Sequence, residues 1–279
     1  MAGLTGATGT GASNPAMAAQ ESVAEAFARL YDLDLADDPG DVDLYLALAA
    51  RAGAPVLELA AGTGRIAVPL AAADHQVTGV DVDPAMLARA RAMADHAGVQ
   101  VARRLRLVED DARTVRLPEA GRFGLAFIGL NSIFLMGTRA DQAAAVGTLA
   151  AHLAPGGLAV VDAWLPDADD LARYDGRLIL EWAREEPGTG RLVTKTGSAG
   201  YDPRTTTVTL TTIFEAAAPG EAARRWVRTD TLRLVAPDDL ASFAERSGLD
   251  VETLAGDYDL GPLGPGSERV VMVARRPEG

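Results

Sequence analysis

The chain has 279 residues, a formal net charge of −13, 48% hydrophobic residues and no cysteine. That length and apolar content fit one domain that carries a subdomain, and the lack of cysteine excludes disulfides, thiolate nucleophiles and thiolate metal sites. The acidic balance argues against nucleic-acid binding, because such a protein needs a basic face against the phosphates.

Neither a membrane segment nor a secretory signal is indicated by the sequence. No apolar run reaches the roughly 20 residues of a membrane helix. Residues 1–20 are rich in Gly, Ala and Thr and precede the first basic residue, Arg29, so they predict a disordered tail rather than a secretory signal. We therefore expect a cytoplasmic protein, monomeric or homodimeric, without a nucleic-acid partner, a membrane partner or a metal site.

Two helical segments precede the first predicted strand. Residues 21–30 carry apolar side chains at helical spacing. Asp41 fits the N-cap of a second helix that ends before Gly53. We assign residues 21–53 to a helical cap that covers the mouth of a site.

Five alternations of strand and helix follow this cap. The predicted strands cover residues 56–60, 77–81, 105–109, 125–130 and 158–164. Helical patterns begin near Gly64 and cover residues 85–97 and 141–153. Such alternation predicts a parallel sheet with helices on both faces and right-handed crossovers.

The pattern changes after Trp164. Alternating or β-branched segments separated by turn signals occupy residues 177–184, 191–200, 205–216 and 225–235. They predict an antiparallel meander, and a helix at 237–247 and strands at 249–254 and 269–274 complete the chain. The predicted domains are an α/β core at 54–166 and 237–279 and a β insert at 167–236, which we expect to act as a lid and to offer a dimer surface through its exposed edge.

A glycine loop joins the first predicted strand to its helix. Glycine permits positive φ and lets a ligand approach the backbone, and ligands of open α/β sheets bind at this carboxyl edge of the strands. Gly62, Gly64 and Ala67 also match a weak dinucleotide fingerprint. The loop alone therefore leaves open a nicotinamide or flavin site and a plain strand–helix turn.

Two carboxylates follow strands at the same edge of the predicted sheet. Asp81 ends the second strand, where a carboxylate accepts hydrogen bonds from both hydroxyls of a ribose. It also fits the N-cap of the helix that begins at Pro84. Asp111 follows the third strand, where it can accept a hydrogen bond from an adenine amino group or belong to an ordinary acidic turn.

Together these segments resemble the class I S-adenosylmethionine-dependent methyltransferases. The resemblance covers about residues 54 to 165, in the order that the family has. The segments that carry it are Val56 to Ala67, Val77 to Asp81, Asp111-Ala112-Arg113, Phe123 to Phe127 and Leu153 to Leu158. The helical start and the β insert are similar to the small-molecule branch, which includes sugar-amine and glycine/sarcosine N-methyltransferases.

The resemblance implies a Rossmann-like seven-stranded sheet and a methyl transfer. S-adenosylmethionine would be the cofactor, S-adenosylhomocysteine the product, and a small molecule the methyl acceptor in an in-line SN2 reaction. The methionine end of the cofactor would lie on Gly62, Gly64 and the backbone near Ala60. Glu58 would face its ammonium, and Arg65 would help to anchor its carboxylate.

The nucleoside end would lie on the next two strand ends. The resemblance implies that Asp81 takes the ribose hydroxyls and that Val82 and Met86 flank the adenine. Asp111 and Ala112 would read the edge of the base. Met86 also fits an alternative interpretation, in which it is only a residue of the apolar core.

The remaining expected contacts lie around the fourth and fifth strands. Leu130 and Asn131 would line the cofactor, although Leu130 also fits a core position, and Tyr31 would close over it. Asn131, Asp162 and Asp230 are the candidates to position the acceptor. Each of the two carboxylates also fits a surface charge or a strand-pair charge.

A general base is not evident in the sequence. A methylsulfonium is already activated, so a base matters only for an acceptor that is protonated at the working pH. His75, His96 and His152 fall at the wrong sheet edge or on helix surfaces and are interpreted as structural or exposed. Lys195, the only lysine, is interpreted as a surface charge.

Two other functions stay open at this point. The acids Glu58, Asp81 and Asp111 suit a sulfonium and an ammonium better than a pyrophosphate, but an NAD-dependent oxidoreductase remains an alternative. A non-catalytic binding module on the methyltransferase fold is the other. The segment from Leu130 to Met136 lacks a histidine that related enzymes often carry near Leu135, which argues against a histidine base.

Overall fold

The computed structural model describes residues 21–37, 39–53 and 55–278. The tail predicted at 1–20 lies outside the described residues. The helices are α1 (Val23–Asp34), α2 (Val42–Ala52), α3 (Ala67–Ala72), α4 (Pro84–Ala97), α5 (Val99–Arg104), α6 (Arg139–His152), α7 (Ala168–Arg173) and α8 (Pro237–Arg246). The strands are β1 (Val56–Leu59), β2 (Val77–Asp81), β3 (Leu105–Glu109), β4 (Phe123–Ile128), β5 (Leu153–Trp164), β6 (Asp175–Glu185), β7 (Leu192–Asp202), β8 (Thr207–Ala217), β9 (Arg224–Arg233), β10 (Asp250–Ala255) and β11 (Arg269–Arg275).

Seven strands form the central sheet in the order β10-β11-β5-β4-β1-β2-β3. Strands β1 to β5 pair in parallel, whereas β11 is antiparallel to both β5 and β10. Strands β2 and β3 lie on one side of β1 in the sheet, and β4 and β5 lie on its other side. The neighbouring carboxyl ends of β1 and β4 are therefore the switch point at which open sheets bind ligands.

Buried side chains cover both faces of this sheet. Alternate residues of β4 divide between them, so that Ala126 and Ile128 pack with α6 and α8, while Leu125 and Phe127 pack with α2 and α3. This alternation is the two-residue period of a strand that is buried on both sides. The predicted Rossmann-like sheet with helices on both faces and an antiparallel insert is confirmed.

The insert is a meander of four strands in the order β6-β7-β8-β9, each antiparallel to its neighbour. Helix α1 packs on one face, here called the inner face, through Phe27 against Phe214 and Trp182. An ion pair between Arg29 and Glu186 links the same helix to the end of the β6–β7 hairpin. Helix α1 therefore lies between the core and the insert, and the lid and dimer roles of the insert stay predictions.

The structure differs from the sequence-based elements mainly in short segments. Helices α5 and α7 and a 3-10 helix at Ser132–Met136 are not predicted, because five or six residues are too short to show a helical period. Strand β5 begins at Leu153 instead of residue 158, because Leu153 already pairs with Phe123 ahead of a register shift. Among the described residues, no helix is long and apolar enough to span a membrane.

Candidate active site

A crevice of about 450 Å³ lies at the carboxyl ends of β1, β2 and β3, and we call it the crevice throughout. Six residues expected to bind the cofactor line it. They are Ala60, Asp81, Val82, Met86, Asp111 and Ala112. Its other walls are Asp83, Arg113, Leu135, Met136, Gly137, Asp141 and Arg228.

The loop after β1 adopts left-handed backbone in three places. Ala60 has φ +59°, Gly62 has φ +54° and Gly64 has φ +80°. A Cβ on Gly64 would also lie 3.1 Å from the Cβ of Ala90, so α4 packs closely on the loop there. A left-handed alanine costs roughly 1 to 2 kcal/mol, so the backbone is strained at Ala60.

Asp81 is fixed by backbone donors on both of its oxygens. Its Oδ2 accepts a hydrogen bond from Gly62 N at 2.8 Å, and its Oδ1 accepts one from Asp83 N at 2.9 Å. Asp83, not Asp81, caps α4, because its own carboxylate accepts from Ala85 N at 2.8 Å. The helix-cap interpretation of Asp81 is therefore wrong, and burial raises the pKa of this carboxyl at the edge of the crevice.

Asp111 lines the crevice and forms an ion pair with Arg113. The Arg113 side chain donates to both Asp111 oxygens, and this hydrogen bonding lowers the pKa of Asp111. The carboxylate is thereby oriented at the crevice wall that Ala112 also lines. The residues predicted to read the edge of a base thus lie side by side.

Glu58 belongs to β1, just before the glycine loop, and its carboxylate is only partly satisfied. Its side chain is buried, and Oε2 has no hydrogen-bond partner among the described atoms. Burial raises the pKa of Glu58 well above its usual range, although the nearby Arg65 opposes this shift. A cationic group placed here would satisfy the free oxygen and favour the charged form.

Arg65 is held by an acid that the sequence does not mark as functional. Its two terminal nitrogens each donate to one oxygen of Asp41 at 2.6 Å, and Asp41 is fully buried. Asp41 occupies the predicted N-cap position of α2, but its side chain makes no cap hydrogen bond. An Asp before a helix signals a cap, so the sequence could not show that this carboxylate faces Arg65 instead.

The turn after β4 is the second strained loop at the switch point. Leu130 and Asn131 have φ +44° and φ +65°, two left-handed residues in succession. Leu130 N donates to Asp162 Oδ2 at 2.9 Å, and Trp164 N donates to Asn131 Oδ1 at 2.6 Å. The turn is therefore fixed from the end of β5, the neighbouring strand.

Asp162 does not reach the acceptor side, contrary to expectation. Its side chain is fully buried, and it also accepts from Tyr45 Oη at 2.6 Å, Tyr258 Oη at 3.1 Å and Arg269 at 3.3 Å. Burial raises the pKa of this carboxyl. The structure thus assigns Asp162 a positioning role beneath the Leu130 turn, as a residue whose oxygens are all engaged.

A second cavity of about 240 Å³ lies between α1 and the inner face of the insert, and we call it the polar cavity. It shares Met86, Leu135 and Arg228 with the crevice. The other walls are Phe27, Tyr31, Asp34, Lys195, Leu210, Thr212, Phe214 and Asp230. Tyr31 therefore faces this cavity rather than the crevice, and burial raises its pKa to about 12.

Two cationic side chains that line the polar cavity are held in ion pairs. Lys195 Nζ is 2.6 Å from Asp34 and 2.8 Å from Glu181, and Arg228 Nε is 2.9 Å from Asp230. The interpretation of Lys195 as a surface charge is wrong, because its side chain is only 16% exposed. Burial lowers the pKa of Lys195, but the hydrogen bonds to both acids outweigh burial, so the pKa is raised and the amine stays protonated.

Not every predicted contact residue lines the two cavities. The predicted cofactor contacts that line neither are Glu58 in β1 and Gly62, Gly64, Arg65, Leu130 and Asn131 in the loops after β1 and β4. Among the histidines, His152 is buried and structural, since Leu117 N donates to its Nε2 at 3.1 Å and its Nδ1 bonds Thr148 O at 2.7 Å. His96 is exposed at the end of α4, and neither it nor His75 lines the crevice or the polar cavity.

Comparison with known proteins agrees with this geometry. Residues 56–157 match the model of a methyltransferase domain family. No curated protein sequence matches the chain. The matched segment runs from β1 into β5 and contains the strand ends that border the crevice.

Solved structures of methyltransferases share the fold over most of their length. The CcbJ methyltransferase from Streptomyces caelestis is 25% identical, with 86% of this chain and 97% of that chain covered and a TM-score of 0.73. An S-adenosylmethionine-dependent methyltransferase from Clostridium acetobutylicum is 18% identical over 90% and 98%, with a TM-score of 0.74. The sugar N-methyltransferase KedS8 from Streptoalloteichus sp. is 23% identical over 98% and 100%, with a TM-score of 0.70.

The segment that matches the methyltransferase domain contains Asp81, Asp111 and the glycine loop. This match and the shared fold remove the interpretation of that loop as a dinucleotide site. Residues 56–157 are a methyltransferase domain, and the protein is an S-adenosylmethionine-dependent methyltransferase.

Proposed function

We propose that the enzyme methylates an amine nitrogen of a small molecule that binds in the polar cavity. The observation that carries this proposal is the wall formed by Met86, Leu135 and Arg228, which borders the crevice and the polar cavity alike. Ligands in the two spaces would meet at that wall. In-line transfer requires this arrangement, in which the nucleophile and the methyl group are held in contact.

The residues of the crevice fit the cofactor. When bound, S-adenosylmethionine supplies a methyl group that its sulfonium has already activated. Glu58 would face the ammonium, which would satisfy the buried and unpartnered Oε2. Asp81 would hold the ribose hydroxyls, and Val82, which is 61% exposed at the crevice wall, would pack on the adenine.

The acids of the polar cavity favour an amine acceptor. Asp34 and Asp230 both line it, and a carboxylate in partly buried surroundings attracts an ammonium. Asp34 is already bonded to Lys195 and to Trp182 Nε1. Asp230, whose Oδ1 pairs with Arg228, is therefore the acid that we propose as the partner of the acceptor.

Asp230 would both hold the acceptor and take its proton. An alkylamine is protonated near neutral pH, and its lone pair becomes available only after a proton leaves. The carboxylate would accept that proton and relay it to solvent through the open side of the cavity. The nitrogen–carbon bond then forms as the carbon–sulfur bond breaks, with the electron pair left on sulfur. KedS8 is named a sugar N-methyltransferase, which agrees with transfer to nitrogen.

A labelling experiment tests this proposal. The purified enzyme is incubated with methyl-labelled S-adenosylmethionine and a panel of primary and secondary amines, each beside the matched alcohol. We expect mass spectrometry to find the label on nitrogen in amines and to find alcohols unmodified. Label on oxygen, or label only on protein or nucleic acid, would overturn the amine assignment.

A further inference from the structure

A third cavity of about 270 Å³ lies between the inner face of the insert, α7 and the end of β5, and we call it the apolar cavity. Most of its wall is hydrophobic. Its largest apolar side chains are Phe134, Trp164, Tyr174, Leu210, Leu232 and Leu234. A dry cavity of about 150 Å³ is enough to hold a benzene ring, so this one has room for a ring and its linker.

The apolar cavity continues the floor of the polar cavity. On the inner face of β8, Val208 and Leu210 line the apolar cavity, and Leu210, Thr212 and Phe214 line the polar cavity. One strand therefore runs beneath both spaces. Along β8 the inward residues that line the two cavities are Val208, Leu210, Thr212 and Phe214. Thr212 is the one polar residue among these four, and apolar residues lie on both sides of it.

An ion pair lies where the walls of the two cavities adjoin. Glu181 lines the apolar cavity, Lys195 lines the polar cavity, and their charged atoms are 2.8 Å apart. Gly197 on β7 makes room for this pair, because a Cβ there would lie 2.0 Å from Glu181 Oε1. Two flexible side chains let a linker pass where a strand would block it.

The lining of the apolar cavity suits an uncharged ring. Ile179 is 54% exposed although it lines the cavity, so apolar surface is left uncovered there. The rings of Trp164 and Tyr174 lie 6.1 Å apart at 50°, which leaves an aromatic edge and face for a further ring. The lining also includes two acids and two arginines, whose formal charges balance.

We propose that the apolar cavity binds an uncharged aromatic or alicyclic ring that forms the body of the methyl acceptor. This inference rests on the proposed function, because the amine of the same molecule would lie in the polar cavity beside Asp230. The acceptor is then an amphipathic amine whose linker passes the Lys195–Glu181 pair. The ring supplies binding energy remote from the reacting nitrogen, which the enzyme can use to orient that nitrogen.

Matched amines test the proposal. Calorimetry measures the binding of phenylalkylamines, and of alkylamines with the same linker but no ring, to the enzyme saturated with S-adenosylhomocysteine. We expect the ring to tighten binding at least about tenfold, as burial of a large apolar group does. Ala199→Phe, which fills the apolar cavity from β7, should abolish that advantage. Ala183→Phe, the same change at an exposed site outside the cavity, should keep it. Equal affinity for both amine series in the unchanged enzyme would overturn the proposal.

A second pair of variants tests the proposal even if Ala199→Phe does not fold. Ile179 and Leu178 are neighbours and both are exposed, but only Ile179 lines the apolar cavity. Ile179→Asp should lower the affinity for phenylalkylamines about fivefold or more, because it places a charge beside the ring. Leu178→Asp should leave that affinity unchanged. Equal losses in both variants would overturn the proposal.

A ring without an amine separates this inference from the proposed function. Fluorine NMR of 4-fluorobenzyl alcohol should show line broadening with the unchanged enzyme and with Ala183→Phe, and none with Ala199→Phe. That pattern, found together with no methylation of any amine, would overturn the amine assignment and support the apolar cavity. Methylation of amines without a preference for rings, and without broadening, would overturn the apolar cavity alone.

Discussion

The crevice and the polar cavity share a wall, yet the chain assembles them differently. The crevice takes its polar groups from consecutive strand ends, and Asp81 is held by the backbone of Gly62 and Asp83 close by. The polar cavity joins Asp34 of α1 to Lys195 of β7, which are 161 positions apart. Cofactor recognition is therefore local in the sequence, whereas acceptor recognition depends on how α1 docks on the insert.

The two regions also differ in how their charges are balanced. On the cofactor side, Glu58 Oε2 is buried without a partner among the described residues, and Asp81 is held by neutral backbone donors. In the polar cavity, Lys195 and Arg228 each pair with an acid. An unpaired acid gains most from a cationic or hydroxyl-bearing ligand. Substitutions in the crevice should therefore change cofactor affinity, and those in the polar cavity should change transfer.

The largest effect expected from this contrast is that of Asp81→Ala on cofactor binding. The change removes a half-buried, preoriented carboxylate and the hydrogen bonds that it would make to the ribose. We expect the affinity for S-adenosylhomocysteine to fall about 100-fold, or roughly 3 kcal/mol, as for loss of charged hydrogen bonds. Isothermal titration calorimetry at neutral pH measures it.

Asp83→Ala is the matched control two residues away. It removes the cap of α4 and should cost about 1 kcal/mol in the free energy of unfolding, with at most a small loss of cofactor affinity. If Asp81→Ala binds S-adenosylhomocysteine as tightly as the unchanged enzyme, the ribose role is wrong.

The second largest effect is expected at Asp162, which anchors the turn after β4 at the switch point. Asp162→Asn leaves one acceptor oxygen where donors now face both carboxylate oxygens, so its NH2 group must lie opposite either Leu130 N or the guanidinium of Arg269. We expect the free energy of unfolding to fall by roughly 2 to 3 kcal/mol, measured by urea denaturation. Cofactor affinity should fall with it, because the turn that carries Leu130 and Asn131 loses its anchor.

Tyr258→Phe provides the comparison for Asp162→Asn. It removes one of several donors to the same carboxylate and should cost about 1 kcal/mol. If Asp162→Asn instead leaves unfolding and cofactor affinity intact and slows only transfer, Asp162 contacts the acceptor after all.

Asp230→Asn should separate the two regions most clearly. The amide keeps the shape of the side chain but cannot take a proton from an ammonium. For an amine identified by the labelling experiment, we expect kcat/KM to fall about 30-fold, or roughly 2 kcal/mol, while the affinity for S-adenosylhomocysteine stays unchanged. Steady-state kinetics and calorimetry together measure the contrast.

Glu215→Gln is the control for Asp230→Asn on the neighbouring strand. Glu215 pairs with Arg225 at the surface and lines neither the crevice nor the polar cavity. It should leave kcat/KM unchanged within twofold. A loss of cofactor affinity in Asp230→Asn that matches its loss of kcat/KM would place Asp230 with the crevice instead.

The same contrast explains what the sequence could predict. Asp81 and Asp111 follow recognisable strands, and parallel strands bring their carboxyl ends to one edge, so their place at the crevice could be read from spacing. Asp34, Lys195 and Asp41 could not be found this way, because their partners come from remote elements. Asp162 ends a strand at the correct edge, but Tyr45 and Tyr258 of other elements enclose it.

The smallest effect should come from Glu58→Gln. We expect this variant to be more stable than the unchanged enzyme but to bind S-adenosylmethionine less tightly. The variant removes a buried charge without a full set of partners, so we expect the free energy of unfolding without cofactor to rise by about 1 kcal/mol. The affinity for S-adenosylmethionine should fall about tenfold, because the ammonium loses its carboxylate. Denaturation and calorimetry at pH 7 measure the two quantities.

The pH dependence of Glu58→Gln supplies the sharper measurement. Burial raises the pKa of Glu58 in the folded state, so between the unfolded pKa of about 4.3 and the raised folded pKa the folded state binds more protons. The free energy of unfolding therefore falls as pH rises through that window. Asp81 and Asp162, whose pKa values are also raised by burial, keep their share of this fall in the variant. We expect a shallower fall for Glu58→Gln than for the unchanged enzyme, and parallel curves would show that Glu58 is not the unsatisfied acid that the ammonium requires.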